Sequence, residues 1–409
     1  MSGPAVAVTG LGLVTAAGVG VQDTWKRVCE GRSTASRDPS LKGMPVDISC
    51  SVPAYDTNEL LGRRSALKYD RFVQLALIAA IEAVADSGLD PDSWDGARVG
   101  VVLGCGMGGL GSYDEQHRRM SESGPENVSP MLIPLMIPNM AAGHVGMRFG
   151  ARGPNFVTAT ACASGATAIG AALDLLRRGE CDVVITGGTE AGIVPLVVTG
   201  FARMGALSTR RLDDPASASR PFDADRDGFV IGEGAGILVL ERAEHARARG
   251  ARVRAHLAGY GASADAHHAT APDPEGRGVA LAVTAALADA GVAAGEVDHV
   301  NAHGTSTPLN DAAEAASIRR LLGDRPVVTS TKGVVGHTLG AAGAIEAALT
   351  VLAIQERTVP PTANLTERDA GVEIDIVRDQ PRTHHSRVAM SNSFGFGGQN
   401  AVLVFTEGA

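Results

Sequence analysis

The chain has 409 residues and a mass of 41.8 kDa, with 44% apolar and 20% charged side chains, enough for one large or two medium cores and too apolar for a disordered polymer. A net charge of −9 argues against general nucleic-acid binding, and five scattered Cys with no Cys-x-x-Cys pair exclude a disulfide scaffold or a Cys-rich zinc site. No apolar run approaches the roughly 18 residues of a membrane span, and the N-terminus lacks a signal-peptide pattern, so the expectation is a cytoplasmic globular protein with no membrane partner.

Along the chain, short β-rich apolar runs predict strands at Ala5–Val8, Val99–Leu103, Asp182–Thr186, Gly236–Leu240, Arg254–Ala258, His299–Ala302, Val327–Ser330, Val388–Met390 and Ala401–Phe405. Helical periodicity occupies the intervals between them, as at Arg71–Ala85 and Val279–Ala290. The alternation predicts an α/β protein with buried, largely parallel strands covered by helices, which would also account for 51 Gly against only 15 aromatic residues. An internal repeat accompanies it. Residues 166–173 (Ala-Thr-Ala-Ile-Gly-Ala-Ala-Leu) and 342–349 (Ala-Gly-Ala-Ile-Glu-Ala-Ala-Leu) share six of eight positions at an offset of 176. A duplicated α/β unit predicts halves at 1–254 and 255–409. The basic run His245–Arg254 at their junction reads as a solvated helix end favoured by the dipole.

Three side chains stand out chemically. Cys162 sits in Thr158–Gly165, just ahead of the first repeated helix, where unpaired N–H groups and the helix dipole would lower a thiol pKa. His303 lies in Asn301–Pro308 after a predicted strand, and His337 lies in Lys332–Gly340 ahead of the second repeated helix. Each could be a buried structural residue alone. Two His beside Gly at the ends of elements, with a Cys on the pseudo-equivalent turn, are better explained together, as a catalytic cluster.

Three other motifs carry less. Gly104-Cys105-Gly106-Met107-Gly108-Gly109 matches the dinucleotide-binding spacing, but the polar segment Tyr113–Gly124 and the Pro- and Met-rich stretch beyond do not continue a nucleotide-binding unit. Asp223–Gly228 imitates a calcium loop but lacks the acidic twelfth residue, Gly234 standing there. His267 and His268 are adjacent and suit no zinc site. The segment Asn392–Asn400 places Phe394 and Phe396 in a Gly-rich loop, either a gate beside a pocket or a tight turn with two core anchors.

Taken together, Thr160–Gly165, Asn301–Pro308, Lys332–Gly340 and Asn392–Asn400 resemble the β-ketoacyl-acyl-carrier-protein synthases of the synthase II type. Ser219–Asp223 and Gly228–Gly234 look like further segments of that family, and the likeness spans nearly the whole chain. It implies the thiolase fold, an α/β architecture of duplicated halves in a five-layered αβαβα sandwich, normally dimeric. Thiolases use a second Cys near the C-terminus, whereas the last Cys here is Cys181. Synthases of the III type pair Cys with His and Asn, and chain-length factors lack the nucleophile.

The resemblance implies decarboxylative condensation of a Cys162-bound acyl chain with malonyl-acyl carrier protein, in fatty acid or polyketide synthesis. His303 and His337 would stabilise the enolate, the backbone N–H groups of Cys162 and Phe396 would form an oxyanion hole, and Lys332 with Glu346 would organise the cluster. Thr305 and Thr307 would bind the pantetheine arm, Phe394 and Phe396 would gate the acyl chain, and Met107 would line its pocket, completed across a dimer by Met131 and Leu132. No metal or other cofactor is implied, because phosphopantetheine arrives on the carrier protein. The implied partners are that carrier protein and either a second copy or a chain-length factor; a cysteine acyl hydrolase is a more distant alternative. Two departures concern the carrier entrance, where Glu126-Asn127 and Gly205 stand at positions commonly basic in the family. Arg63, Arg64, Lys68 and Arg71 remain as a basic cluster able to meet an acidic carrier protein.

Overall fold

Stretches rich in Val, Ile, Ala and Gly can be buried on both faces, and all nine predicted strands fall in one 12-stranded sheet in a computed structural model, which describes residues 5–62 and 68–408. The principal strands are β1 (Val6–Thr15), β2 (Val99–Gly104), β3 (Asn155–Thr158), β4 (Val183–Glu190), β5 (Gly234–Arg242), β6 (Ala255–Ala264), β7 (His299–Asn301), β8 (Val327–Thr329), β9 (Asp375–Ile376), β10 (Val388–Gly395) and β11 (Gln399–Glu407). The principal helices are α1 (Arg71–Ser87), α2 (Leu110–Ser123), α3 (Met140–Phe149), α4 (Ser164–Arg177), α5 (Pro195–Arg203), α6 (Arg277–Ala290), α7 (Pro308–Leu322) and α8 (Ala342–Gln355).

The sheet order is β9-β8-β7-β10-β11-β6-β1-β5-β4-β2-β3, with Gly18–Val19 hairpinned onto β1. Two copies of one topology are visible in it. The run β3-β2-β4-β5-β1 is mirrored by β8-β7-β10-β11-β6, and the copies join where Val6 pairs with Leu257. In each copy the outer three strands are parallel and the inner ones antiparallel. The expected largely parallel sheet is therefore only half parallel. The reason is local: β10 returns directly into β11 through the turn at Phe396–Gly398, with no helical crossover to enforce a parallel neighbour.

Small residues set the layers. A Cβ at Gly10 or Gly12 of β1 would overlap the carbonyl oxygens of Ala83 and Ala79, so α1 lies directly on the strand. Gly259 and Gly261 of β6 meet Ala286 and Ala282 of α6 in the same way. The repeated helices α4 and α8 lie between the two sheet halves and contact both. Their N-termini approach so closely that a Cβ on Gly165 would stand 2.8 Å from the Ala344 nitrogen, and one on Gly343 would stand 2.9 Å from the Ala166 nitrogen. The layers run α1 and α3, sheet, α4 and α8, sheet, α6 and α7. This is the five-layered thiolase arrangement.

The basic junction differs from expectation in part. His245 and Arg249 fold onto the fully buried Glu241 and Arg254 pairs with Asp86, while Arg247 and Arg252 are exposed. Among the described residues, no helix is long and apolar enough to cross a membrane.

Candidate active site

The carboxyl ends of the parallel strands in both copies point to one end of the molecule, and the three singled-out side chains meet there. Cys162 lies in the single 3-10 turn Ala161–Ala163 that leads from β3 into α4, entered with Ala161 at φ 49°. A left-handed Ala is costly, and it is held here by Ser164, whose hydroxyl donates to the Ala161 carbonyl at 2.6 Å and accepts from the Thr160 N–H at 3.0 Å. His303 follows β7, and His337 precedes the turn Leu339–Ala341 that opens α8. All three line one cavity of about 390 Å³ together with Thr305, Thr307 and Leu339.

The side chains interlock at measured distances. The imidazoles of His303 and His337 meet edge to face with centroids 5.4 Å apart. Phe394 packs against His303 at 5.7 Å, Phe229 against His337 at 5.1 Å, and Phe201 lies 6.3 Å from Phe396. The hydroxyls of Thr305 and Thr307 stand 2.8 Å apart across Ser306, which takes a left-handed conformation at φ 71°. Lys332 is buried, donates to the His303 carbonyl at 2.6 Å, lies 3.4 Å from His303 Nδ1, and is ion-paired with Glu346. An ammonium has only donors, so His303 Nδ1 must accept, which leaves the proton on Nε2. His337 Nδ1 has no partner among the described residues.

Burial decides the protonation states. It pushes both imidazoles well below the usual histidine range, and the Lys332 charge adds to the effect, so both are neutral near pH 7. The Cys162 thiol is pushed up to about 11 by burial, although Lys332 and the N–H groups of Phe396 and Cys162 itself pull it down. The expected lowering of the thiol by the helix N-terminus is therefore outweighed; the site holds a protonated thiol beside two neutral imidazoles.

The remaining predicted residues divide. Phe394 and Phe396 line the cavity. Met107 packs in the apolar cluster that contains Cys162 and Leu339 but does not line the open cavity. Met131 is exposed and lines a separate groove with Lys68, His144 and Met147. Arg63 and Arg64 lie outside the described residues, and Lys68 is exposed. Arg71 is exposed as well, and its guanidinium donates two 2.6 Å bonds to the buried carboxylate of Glu233. The Gly-rich turn Gly104–Gly109 does open a helix, α2, contrary to the polar-segment reading. Its N–H groups are occupied by Glu190, however, which takes Gly106 at 2.7 Å and Met107 at 3.2 Å where a phosphate would bind. Two of the three carboxylates of the calcium-like loop are likewise spent internally, Asp223 on Arg220 and Thr366, Asp227 on Thr209 and Arg210. Both His267 and His268 are exposed in a loop.

Sequence reasoning missed Phe201, Phe229 and Glu314. Glu314 of α7 accepts from the His303 N–H at 2.8 Å, the Gly304 N–H at 2.7 Å and Asn392 at 3.1 Å, and so fixes the His303 turn; burial lifts it to about 7. An acid in an Ala-rich helix reads as surface, and it offered no signal. Phe229, one of only nine Phe and flanked by Gly228, could have been found.

Comparison with known proteins agrees with this geometry. The beta-ketoacyl synthase N-terminal domain matches residues 4–246 and the C-terminal domain matches residues 254–366. The chain is 46% identical to 3-oxoacyl-[acyl-carrier-protein] synthase 2 of Synechocystis, covering 98% of each, and 43% identical to the protein of that description from Vibrio cholerae, covering 99% of each. Among solved structures, a beta-ketoacyl synthase from Burkholderia phymatum superposes with a TM-score of 0.93 at 35% identity over 99% of this chain and 100% of the other. A type II polyketide synthase acyl-carrier protein in complex with its ketosynthase, bound to the hexaketide, matches at 0.92 and 33% identity over 100% of both chains. The ishigamide ketosynthase/chain length factor matches at 0.93 and 34% identity, also over 100% of both.

Proposed function

The chain belongs to the beta-ketoacyl synthase family and is a condensing acyltransferase, and from that premise we propose how its own residues run the reaction. Cys162 Sγ attacks the thioester of an acyl carrier protein. A forming S–C bond replaces the S–H bond, one of the two neutral imidazoles takes the proton, and the pantetheine thiol leaves with it. The Phe396 and Cys162 N–H groups, already directed at the sulfur, support a reading in which they bind the oxyanion formed at the thioester carbonyl.

Malonyl carrier protein then places its pantetheine along Thr305 and Thr307. Its carboxylate leaves as CO₂, and the electron pair passes to the thioester oxygen as an enolate. His303 Nε2–H and His337 stabilise that charge as hydrogen-bond donors, which their neutral state permits. The enolate carbon bonds to the acyl carbonyl, the Cys162 thiolate departs, and a 3-oxoacyl chain two carbons longer remains on the carrier protein. Lys332 and Glu346 hold His303 in place. The decarboxylation drives the step, so the proposal requires no metal or nucleotide; phosphopantetheine is supplied by the carrier protein.

The observation that carries this reading is the convergence of a buried thiol, its two N–H donors and two neutral imidazoles in one cavity. The pathway we favour is fatty-acid elongation by a homodimer, since the synthase 2 relatives stand at 46% and 43% identity and the polyketide structure at 33%. Pairing with a chain-length factor is the second reading, favoured by the full-length likeness to the ishigamide ketosynthase/chain length factor. The test is incubation with an acyl and a malonyl carrier protein, with intact-mass detection of the lengthened 3-keto product. Cys162→Ala should fold and form no acyl adduct; an adduct on that variant would reject the nucleophile. Native mass of the purified complex separates the two assemblies.

A further inference from the structure

Glu190 ends β4, is completely buried, and takes part in none of the steps above. Both of its oxygens are saturated with donors. Oε1 accepts from the Met107 N–H at 3.2 Å and the Cys105 thiol at 3.5 Å, and Oε2 accepts from the Gly106 N–H at 2.7 Å and the Gly340 N–H at 3.2 Å. Gly106 and Met107 belong to the turn before α2, in one copy of the duplicated fold. Gly340 lies three residues beyond His337, in the other copy. One carboxylate thus ties the turn that carries Met107 to the loop that carries His337.

The segments press together around this tie. A Cβ at Gly340 would overlap the Gly106 nitrogen as well as Glu190 Oε2. At Gly192, two residues beyond Glu190, a Cβ would stand 3.0 Å from Met107 Cε and 2.9 Å from Leu339 Cδ1, so both side chains close over the same bare backbone. Leu339 lines the cavity beside Cys162. We propose that Glu190 is a positioning residue that couples the Met107 turn to the His337 loop, so that chain-length selectivity and condensation rate depend on the same carboxylate. The proposal rests on the roles given above for Cys162, His337 and Met107.

Only a carboxylate suits the position. Four donors converge on two oxygens, whereas a glutamine side chain offers one oxygen and one NH₂ group. Whichever way the amide introduced by Glu190→Gln faces, it turns a donor onto the Met107 turn, at Met107 and Cys105 in one orientation and at Gly106 together with Gly340 in the other, while shape and volume are kept. Because the Glu190 charge raises the Cys162 thiol, the acylation of Cys162 should not slow in this variant, and KM for malonyl carrier protein should change little. The kcat for condensation should fall on the order of 10²-fold, as for a catalytic group displaced by about an ångström. The ratio of rates for long and short acyl chains should shift as well.

Loss of acylation and condensation in equal measure, tracking a lowered Tm with unchanged chain preference, would overturn the proposal. So would wild-type kinetics in the variant. Should the variant not fold, hydrogen exchange on the wild-type protein decides: acylating Cys162 with a long chain should change the Gly106, Met107 and Gly340 amides together, and a change confined to one segment refutes the tie. A wild-type protein that never acylates at Cys162 would instead overturn the underlying functional reading, and the coupling with it.

Discussion

Lys332→Ala tests the electrostatics of the site most directly. A thiol held at about 11 is ionised to about one part in 10⁴ at pH 7, and the fraction rises tenfold per pH unit until the pKa is reached. The Lys332 charge is the largest influence pulling that thiol down against burial, so its loss must move Cys162 further up. The same charge depresses His303 and His337, which should both rise toward the ordinary range. Alkylation of Cys162 by iodoacetamide, followed by intact mass from pH 7 to 11, reads the thiolate directly. The wild-type log rate should climb with a slope of about one, and the variant curve should lie to the alkaline side. Stability should fall toward the lower end of the roughly 3–5 kcal/mol typical of breaking a buried pair, because Glu346, lifted to about 7 by burial, can take up a proton when its partner is gone. The destabilisation should therefore be smaller at pH 6 than at pH 8. A variant alkylation curve that superimposes on the wild type, or lies to its acid side, would refute this electrostatic account.

Other perturbations separate the remaining roles. His303→Ala and His337→Ala should spare acylation of Cys162 more than malonyl decarboxylation, with losses on the order of 10²–10³ in rate for each lost donor; a variant that decarboxylates normally but cannot be acylated reverses the assignment. Met107→Trp should shorten the accepted acyl chain, because Met107 packs with Leu339 behind the cavity, and an unchanged preference in a stably folded variant defeats that role. His299 is buried and lowered to about 4, so between pH 4 and 6.5 the unfolded chain binds the proton that the folded one refuses. The stability advantage of wild type over His299→Gln should grow with pH across that window by about 1.4 kcal/mol per unit, measured by urea unfolding; a pH-independent difference would show that His299 is not neutral.

The fold was legible where local and global demands coincide. Strands such as Val183–Glu190 and helices such as Arg71–Ser87 carry their signals in apolar runs and periodicity, and their ends moved by only a few residues. The repeat at 166–173 and 342–349 marked the two helices at the centre of the sandwich, because close approach there admits only small residues. Strand direction was not legible. A buried strand reads as apolar whether its neighbour is parallel or not, and the antiparallel inner strands follow from the connections. The strand Asn155–Thr158 was missed altogether, since it sits at the edge of the sheet and alternates nothing buried with exposed residues.

Within the site, the side chains that meet at the cavity were visible because His303 and His337 stand beside Gly at the ends of elements and Cys162 stands on the turn before the first repeated helix. The charges that hold them carried no local signal, and only Lys332 with Glu346 were expected, through the family resemblance. Glu190, Glu314 and Glu346 are each buried and each lifted to about 7, yet they stand at the end of an apolar strand and in Ala-rich helices, where an acid is ordinarily solvated. Each has a defined task in space: Glu190 holds Gly106, Met107 and Gly340, Glu314 holds His303, Gly304 and Asn392, and Glu346 holds Lys332. Burying three carboxylates is tolerable only because backbone N–H groups, the Cys105 thiol, the Asn392 amide and one ammonium meet them, Glu346 Oε2 alone having no partner among the described residues. Glu190 takes a donor 150 residues away and Glu314 one 78 residues away, distances no local pattern can report. Glu190 thus acquires its role only once the two halves have closed on each other, and Glu314 and Glu346 acquire theirs only once the second half has folded.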